Sequence, residues 1–270
     1  MAHYNRSSFA DGLREAGLKP GDVVFGHHNI GFFGIPEEGK EPERIVDLIL
    51  EAFFDVIGEE GTLVLPTFTY SFPKGKVYDP DHSPGIGGAF TEMVRKKPEV
   101  YRSLDPSVSV AAIGADARGI TENMPENSYA ADGVFGRLLD REAKICNMNR
   151  DIGTTIVHYA ERDAKVPYRF DKTFHGTIRV DGEERETKNT IWVRYLHEQT
   201  KPVFEPMDEL AEARELCSKV AIGRGFVKVM TARDQYDLVV DTLPDRPWFL
   251  TAAEVTGRPP KLEEFTEELM

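Results

Sequence analysis

Short apolar runs alternate with helical patterns through the first part of the chain, and this alternation restricts the fold more than any other feature. The runs predicted as strands are Val23–Gly26, Thr62–Leu65, Ser109–Ile113 and Ala143–Ile145. Helices are predicted between them at Phe9–Ala16, Glu43–Ile57, Phe90–Lys97, Ala115–Glu122 and Gly133–Glu142. Such an order is typical of a sheet with helices on its faces. Ser7 or Ser8 is expected to cap the first helix.

The pattern changes in the second half of the chain. Phe174–Leu196 alternates in part, with Gly182 at a turn, and predicts an antiparallel pair. A helix at Met207–Ser218, a strand at Ala221–Val229 interrupted by two glycines and a helix at Thr231–Val240 follow. We therefore predict an α/β fold: a central mixed sheet flanked by helices, with an antiparallel β insertion at about residues 174–196. No repeat or linker divides the chain, so residues 1–270 are expected to form one domain, and the acidic tail, Leu262–Met270, a short helix or a frayed end.

The charge balance argues against a nucleic-acid partner, because the net charge is −13 and such binders usually carry a basic surface. No apolar run has the roughly 18 residues that a membrane span needs. The N-terminus lacks the apolar core of a signal peptide. The two cysteines, Cys146 and Cys217, form neither a disulfide framework nor a metal-ligand spacing. These observations predict a cytoplasmic protein without membrane contact.

The stretch from Asp151 to Arg169 brings a histidine and a carboxylate to the start of a predicted helix, after a polar loop at 146–153. His158 and Glu161 are three positions apart, so they share one helix face. A threonine at 154 or 155 is expected to cap the helix. The positive helix end disfavours imidazolium, so His158 is expected to be neutral near pH 7 and able to accept a proton. Packing of His158 against the preceding loop is the alternative.

Several common chemistries lack their motifs. The sequence has no GxGxxG, no GxxxxGK[ST] and no GxSxG. His27 and His28 are adjacent, so on an extended segment they point to opposite sides. We therefore expect no metal. A metal-dependent hydrolase built from these histidines, His158 and carboxylates is kept as an alternative.

The connection from Thr67 to Gly87 is unusually long for a compact domain. It is interrupted by prolines and glycines and is rich in aromatic side chains, namely Phe68, Tyr70, Phe72 and Tyr78. Loops of this length are functional or disordered. The aromatic content favours an ordered loop that lines a substrate site.

Several blocks, taken in order, resemble the aminoglycoside 3-N-acetyltransferase family over nearly the whole chain. The blocks are LREAGLKPGDVVFGHHNIGFFG, GTLVLPTFTYSF, the run from YDPDHSPG to SVSVAAIG, GRLLDREAKI and TTIVHYAE. The last matches the family signature T..H.AE, with His158 and Glu161 at its histidine and glutamate. Each block is weak alone, but together their order and spacing are specific. PTFTYSF is more similar to the members associated with surface-polysaccharide amino sugars.

The resemblance implies transfer of an acetyl group from acetyl-CoA, as co-substrate, to an amine of an amino sugar. The acceptor would be an aminoglycoside or a nucleotide-linked amino sugar. His158 would be the general base. Glu161 is the first choice for its partner and Asp151 the second. No metal is implied, the oligomeric state stays open, and a homodimer is the assembly considered.

The resemblance also suggests which residues contact the substrates. The residues expected to contact CoA are His27, Asn29, Thr67 and Ser109. The residues expected to contact the amino sugar are Tyr70, Asp79, Glu92 and Asp105, because a cationic acceptor needs nearby carboxylates. Four of these residues have a structural alternative: loop packing for His27, a turn cap for Thr67, an exposed helix position for Glu92 and a turn for Asp105.

Two departures from the family pattern concern the expected contacts. Asp105 stands where many members have histidine, and Asn29 stands where they have a small hydroxyl residue. These departures motivate a second hypothesis, a CoA-binding or sugar-binding protein of the same fold without catalysis. A nucleotide-linked acceptor would need basic residues, for which the candidates are Lys74, Lys76, Arg102, Arg169 and Lys172.

Overall fold

The computed structural model describes residues 2–266. Its strands are β1 Val23–Phe25, β2 Thr62–Pro66, β3 Tyr101–Arg102, β4 Val110–Gly114, β5 Lys144–Met148, β6 Arg169–Val180, β7 Glu183–Arg194, β8 Ser218–Ile222 and β9 Gly225–Thr231. Its α-helices are α1 Arg6–Glu15, α2 Pro42–Ile57, α3 Ala89–Val94, α4 Ala117–Thr121, α5 Val134–Asp140, α6 Ile156–Asp163, α7 Glu205–Ala213, α8 Ala232–Thr242 and α9 Ala252–Thr256.

Seven of the strands form one sheet in the order β3-β4-β2-β1-β5-β9-β8. Strand β1 lies parallel to both β2 and β5, whereas the outer pairs are antiparallel. The predicted mixed sheet is therefore confirmed. Parallel strands are joined by crossovers, and helices in those crossovers cover both faces of the sheet.

Successive side chains of the strands pack into two separate hydrophobic cores, one on each face of the sheet. On β1, Val24 packs on the face covered by α1, α2 and α3, while Phe25 packs on the face covered by α4, α5, α6 and α8. Both side chains are fully buried. Since successive strand residues point to opposite faces, a strand of three residues suffices to join the two cores. Helix α2 presents the apolar stripe predicted for it, including Leu48, Ile49 and Phe53.

The two remaining strands, β6 and β7, pair with each other as a long antiparallel hairpin. The turn is at Asp181 and Gly182, both with positive φ. The predicted antiparallel insertion is confirmed, but the hairpin begins at Arg169 rather than near Phe174. Near its base, β7 makes a bridge with Asn127, so the hairpin is tied to the loop before α5.

Three local predictions are wrong. Ala221–Val229 is the hairpin β8–β9, because Gly223 has φ +57° and turns the chain back. Strand β5 extends through Met148, so the polar loop starts later than expected. Helix α1 is capped by Asn5, whose side chain accepts the N–H of Ser8 at 2.9 Å.

The connection Thr67–Gly87 is ordered by side chains that hydrogen-bond to its backbone. Arg102 donates to the carbonyls of Thr67, Pro80 and Ser83, and the hydroxyl of the fully buried Tyr78 donates to the carbonyl of Ser103 at 2.6 Å. Arg102 was a candidate for contacting a nucleotide-linked acceptor. In the structure its guanidinium holds this loop against β3.

The end of α3 and the first part of the acidic tail have defined local structure. Arg95, directly after α3, is 9 % exposed and donates two 2.6 Å hydrogen bonds to Glu92. In the tail, Leu262–Glu264 is a 3₁₀ turn, and positions 267–270 lie outside the described residues. Within residues 2–266, no helix combines the length and apolar character needed to cross a bilayer.

Gly26 lies where β1 passes closest to β5. A Cβ atom at this position would meet the carbonyl oxygen of Cys146 at 2.0 Å, a backbone atom that cannot rotate away. We expect Gly26→Ala to lower the free energy of unfolding by about 3 kcal/mol, at the upper end for overpacking. Gly31→Ala is the control, because its Cβ would have nothing within 4 Å. Urea unfolding measures both, and equal stabilities would contradict the close packing of these strands.

Candidate active site

One edge of the sheet gathers the ends of its central strands. The chain leaves β1, β2 and β5 at this edge, because these strands are parallel, and it enters the antiparallel β4 there. His27, Thr67 and Ser109 therefore lie near the loop that follows β5. In open α/β sheets, ligands bind at the carboxyl ends of the strands.

Asn147 joins the loop after β1 to the loop before α6. It is fully buried in β5 and accepts the backbone N–H of His27 at 2.9 Å. Its amide donates to the carbonyls of Asp151 at 2.7 Å and Gly153 at 3.0 Å. This residue was not predicted as part of the site, although an asparagine inside an apolar strand is a signal, since a buried amide must be hydrogen-bonded.

Helix α6 begins beside this loop. Thr155 occupies its N-cap position, but the side chain makes no capping hydrogen bond. The hydroxyl of Thr154 instead donates to Gln235 at 2.5 Å, and Gln235 donates to the carbonyl of Ile152 at 2.7 Å. The start of α6 is therefore held by α8.

His158 and Glu161 contact each other on α6. Nδ1 of His158 lies 2.6 Å from Oε2 of Glu161. The carboxylate is 1 % exposed and accepts the hydroxyl of Tyr168 at 2.8 Å. Nε of Arg169 lies 2.8 Å from Oε2. A histidine, a tyrosine and an arginine thus share one buried carboxylate.

The surroundings favour a neutral imidazole and an ionised carboxylate. Burial lowers the pKa of His158, the charge of Arg169 lowers it further, and Glu161 opposes both without reversing them. Burial alone would raise the pKa of Glu161, but Arg169 and His158 outweigh it and hold that pKa below its ordinary value. With Nδ1 directed at the carboxylate, Nε2 is the ring nitrogen that can accept a proton, and it lies 3.4 Å from Nη2 of Arg169.

A pocket of about 280 Å³ opens beside His158. Its walls come from α6, the hairpin and neighbouring loops. The lining residues are Tyr70, Val108, Tyr129, His158, Arg169, Ile191, Trp192, Val193, Arg194, Leu196 and Pro202. Tyr70, predicted as a substrate contact, lines the same pocket as His158. Tyr129 and Arg194 were not predicted.

The other residues proposed for the acceptor lie in different surroundings. Asp79 accepts the backbone N–H groups of Asp81 and His82. Glu92 accepts the N–H of Gly85 and pairs with Arg95. None of these residues lines the pocket of His158.

The remaining acidic candidates organise turns. Asp105 is 4 % exposed and accepts the N–H groups of Ser107 and Val108, both at 2.8 Å. Asp151 accepts the N–H of Gly153 at 2.9 Å. Of the two carboxylates considered as partners of His158, the contact is made by Glu161.

The residues expected to contact CoA divide into two kinds. Thr67 and Ser109 are fully buried, their hydroxyls lie 3.2 Å apart, and that of Ser109 donates to the carbonyl of Thr67. His27 is half-buried between Phe25 and Phe68, and Asn29 is exposed. Burial, with the charges of Arg150 and His158, lowers the pKa of His27 to about 4.

His28 points away from His27, as predicted. Its ring packs against Phe53 and Phe90, and both ring nitrogens lack a hydrogen-bond partner among the described residues. The one three-residue set in residues 2–266 with metal-ligand spacing is Asp79, Asp81 and His82. Its latter two members are exposed, and the set is separate from the pocket of His158.

The chain is similar to known proteins in both sequence and structure. The family model described as aminoglycoside 3-N-acetyltransferase matches residues 35–244, well over half of the chain. The chain is 27% identical over 214 residues to aminoglycoside N(3)-acetyltransferase VII of Streptomyces paromomycinus, covering 70% of this chain and 69% of that protein. Two solved structures share the fold. AAC-IIIb in binary complex with CoASH has a TM-score of 0.77 at 21% identity, covering 90% of this chain and 97% of its own. AAC-VIa bound to sisomicin has a TM-score of 0.76 at 23% identity, covering 90% and 98%.

Buried His28 should make stability depend on pH. Burial, and then His27, lower the pKa of His28 to about 3, so below pH 6.5 the unfolded chain binds a proton that the folded chain does not. Stability is therefore lost as the pH falls. Between pH 7 and 5 this histidine should cost about 2 kcal/mol. His28→Phe should remove that part of the loss, as measured by urea unfolding at both pH values. An unchanged pH dependence in the variant would contradict the assignment.

Proposed function

Because the chain belongs to the aminoglycoside 3-N-acetyltransferase family, we propose that it transfers an acetyl group from acetyl-CoA to an amine of an amino sugar. The observation that carries the proposal is the contact between His158 and Glu161 beside the pocket. The AAC-IIIb structure with CoASH supports acetyl-CoA as the co-substrate. We further propose that residues 1–270 act as one domain in the cytoplasm.

In the proposed reaction, His158 is the general base. As the amine nitrogen bonds to the thioester carbonyl carbon, Nε2 of His158 takes one N–H proton. Glu161 holds the ring by Nδ1 and stabilises the imidazolium that forms. When the carbon–sulfur bond breaks, His158 returns the proton to the sulfur, leaving an amide and a thiol.

The lowered pKa of His158 suits this role. A base must be unprotonated at the working pH, and burial together with Arg169 keeps the ring neutral. Stabilisation by Glu161 then becomes important after the proton arrives, because only imidazolium gains from a full negative charge nearby. Tyr168 and Arg169 keep that carboxylate ionised and in place.

The expected substrate contacts are revised by their surroundings. We propose His27 and Asn29 as side-chain contacts to CoA, with the segments at Thr67 and Ser109 contributing backbone groups, since their hydroxyls bond to each other. Tyr70 is proposed to contact the acceptor directly. The proposed role of Asp79, Glu92 and Asp105 is indirect, through the turns and the loop that they hold.

His158→Ala should lower kcat/KM for acetyl transfer by about 10²–10⁴-fold, because the base is lost. Thiol release from acetyl-CoA measures the rate, and calorimetry should show that CoA still binds. His175→Ala on the exposed side of the hairpin is the control and should keep wild-type activity. Wild-type turnover in His158→Ala would refute the proposed base.

Glu161→Gln and Asp151→Asn separate the two carboxylates. Glu161→Gln should lower kcat by about 10²-fold or more, because imidazolium loses its counter-charge. It should also lower the free energy of unfolding by about 3–5 kcal/mol, since the buried Arg169 loses its partner. Asp151→Asn should affect kcat by less than about 3-fold, well under the effect of losing a base partner. The reverse order of the two effects would assign the role to Asp151.

A further inference from the structure

The pocket beside His158 carries positive charge. Arg169 and Arg194 line it, and its lining contains no aspartate or glutamate among the described residues. This is unexpected in a chain whose net charge is −13. An acceptor with several ammonium groups would meet arginines here, whereas carboxylates are the groups that bind ammonium.

The two arginines face each other directly. Arg169 in β6 is the register partner of Arg194 in β7, so their side chains leave the same face of the hairpin. Like charges opposite each other in a strand pair destabilise it. A negatively charged group close to both arginines would offset this repulsion.

One carboxylate, Glu161, forms an ion pair with this arginine pair, and that carboxylate is shared. Glu161 contacts Arg169, but it also contacts His158. Arg194 donates through Nη1 to the carbonyls of Tyr195 and His197. Glu198 acts on Arg194 electrostatically but pairs with Lys201 at 2.6 Å, and within residues 2–266 no carboxylate oxygen lies within 4.0 Å of the charged nitrogens of Arg194. The charge of Arg194 is therefore not matched by an ion pair in this part of the chain.

The carboxylates that would suit a polycation are used elsewhere. Asp79, Glu92 and Asp105 bond to backbone N–H groups or to Arg95 and lie outside the pocket. The acceptor side of the site thus has arginines in excess.

We propose that Arg194, with Arg169, binds an anionic group of the acceptor, so that the amine presented to His158 belongs to a phosphorylated or carboxylated amino sugar. This inference deepens the proposed function and rests on it. Nη2 of Arg169 is 3.4 Å from Nε2 of His158, so an anion bound here sits next to the reacting amine. The phosphates of CoA are separated from its sulfur by the long pantetheine arm and do not fit that position.

The first test is binding by calorimetry in the presence of CoA, which cannot react. Glucosamine 6-phosphate should bind at least about 10-fold more tightly than glucosamine, the worth of one charge-assisted hydrogen bond. Arg194→Gln should weaken binding of the phosphorylated sugar by about 10–100-fold and leave glucosamine unchanged. Arg185→Gln, an exposed charge change in the same strand, is the matched control.

Further arms separate the alternatives. Tighter binding of sisomicin than of the phosphorylated sugar, or loss of CoA affinity alone in Arg194→Gln, would overturn the proposal; in the second case the anion belongs to CoA. Arg194→Lys keeps the charge, so it should retain most of the affinity if the glutamine variant is poorly folded. Selective phosphate binding without acetyl transfer to any acceptor would uphold the anion site and refute the proposed function.

Discussion

The buried charge of Glu161 must be matched where it lies, and the site is arranged around that requirement. An ionised carboxylate that is 1 % exposed persists when its oxygens are paired and hydrogen-bonded. His158 comes from the same helix, but Tyr168 and Arg169 come from the entry to the hairpin. The carboxylate therefore joins α6, which packs on the central sheet, to β6 of the separate hairpin. Removing it would release both the histidine and one wall of the pocket.

Much of the fold follows from short-range patterns in the sequence. Buried strands of three to five residues, followed by turns and amphipathic helices, predict the central sheet, because side chains on alternate sides must find apolar cover. The errors arise where the structural role of one residue departs from the pattern of the residues around it. Gly223 turns a predicted strand into a hairpin, and Asn147 continues β5 through a position that looks like loop, since its polar side chain bonds to backbone groups on both sides.

The site was less predictable than the fold. The spacing of His158 and Glu161 is visible in the sequence because both lie on one helix face. Arg169 and Arg194 are far apart along the chain, and they meet through the register of a hairpin. The acidic residues are difficult to assign from sequence for a physical reason. A carboxylate that organises a turn and one that binds an amine are the same residue type, and Asp105 differs from a ligand only in the N–H groups that surround it.

Arg194 and the contact between His158 and Glu161 lie on different elements, β7 and α6, and this separation has a consequence for sequence divergence. The proposed proton transfer depends on α6 and on Tyr168 and Arg169 at the entry to β6, whereas Arg194 in β7 adds positive charge to the pocket. Exchanges at position 194 alter the pocket without touching the contact between His158 and Glu161. Related proteins of this architecture could therefore differ in the acceptor they bind through exchanges at position 194, while keeping the residues of the proposed proton transfer. Strand β7, which ends at Arg194, is therefore the segment in which sequence differences should correlate with differences in the acceptor.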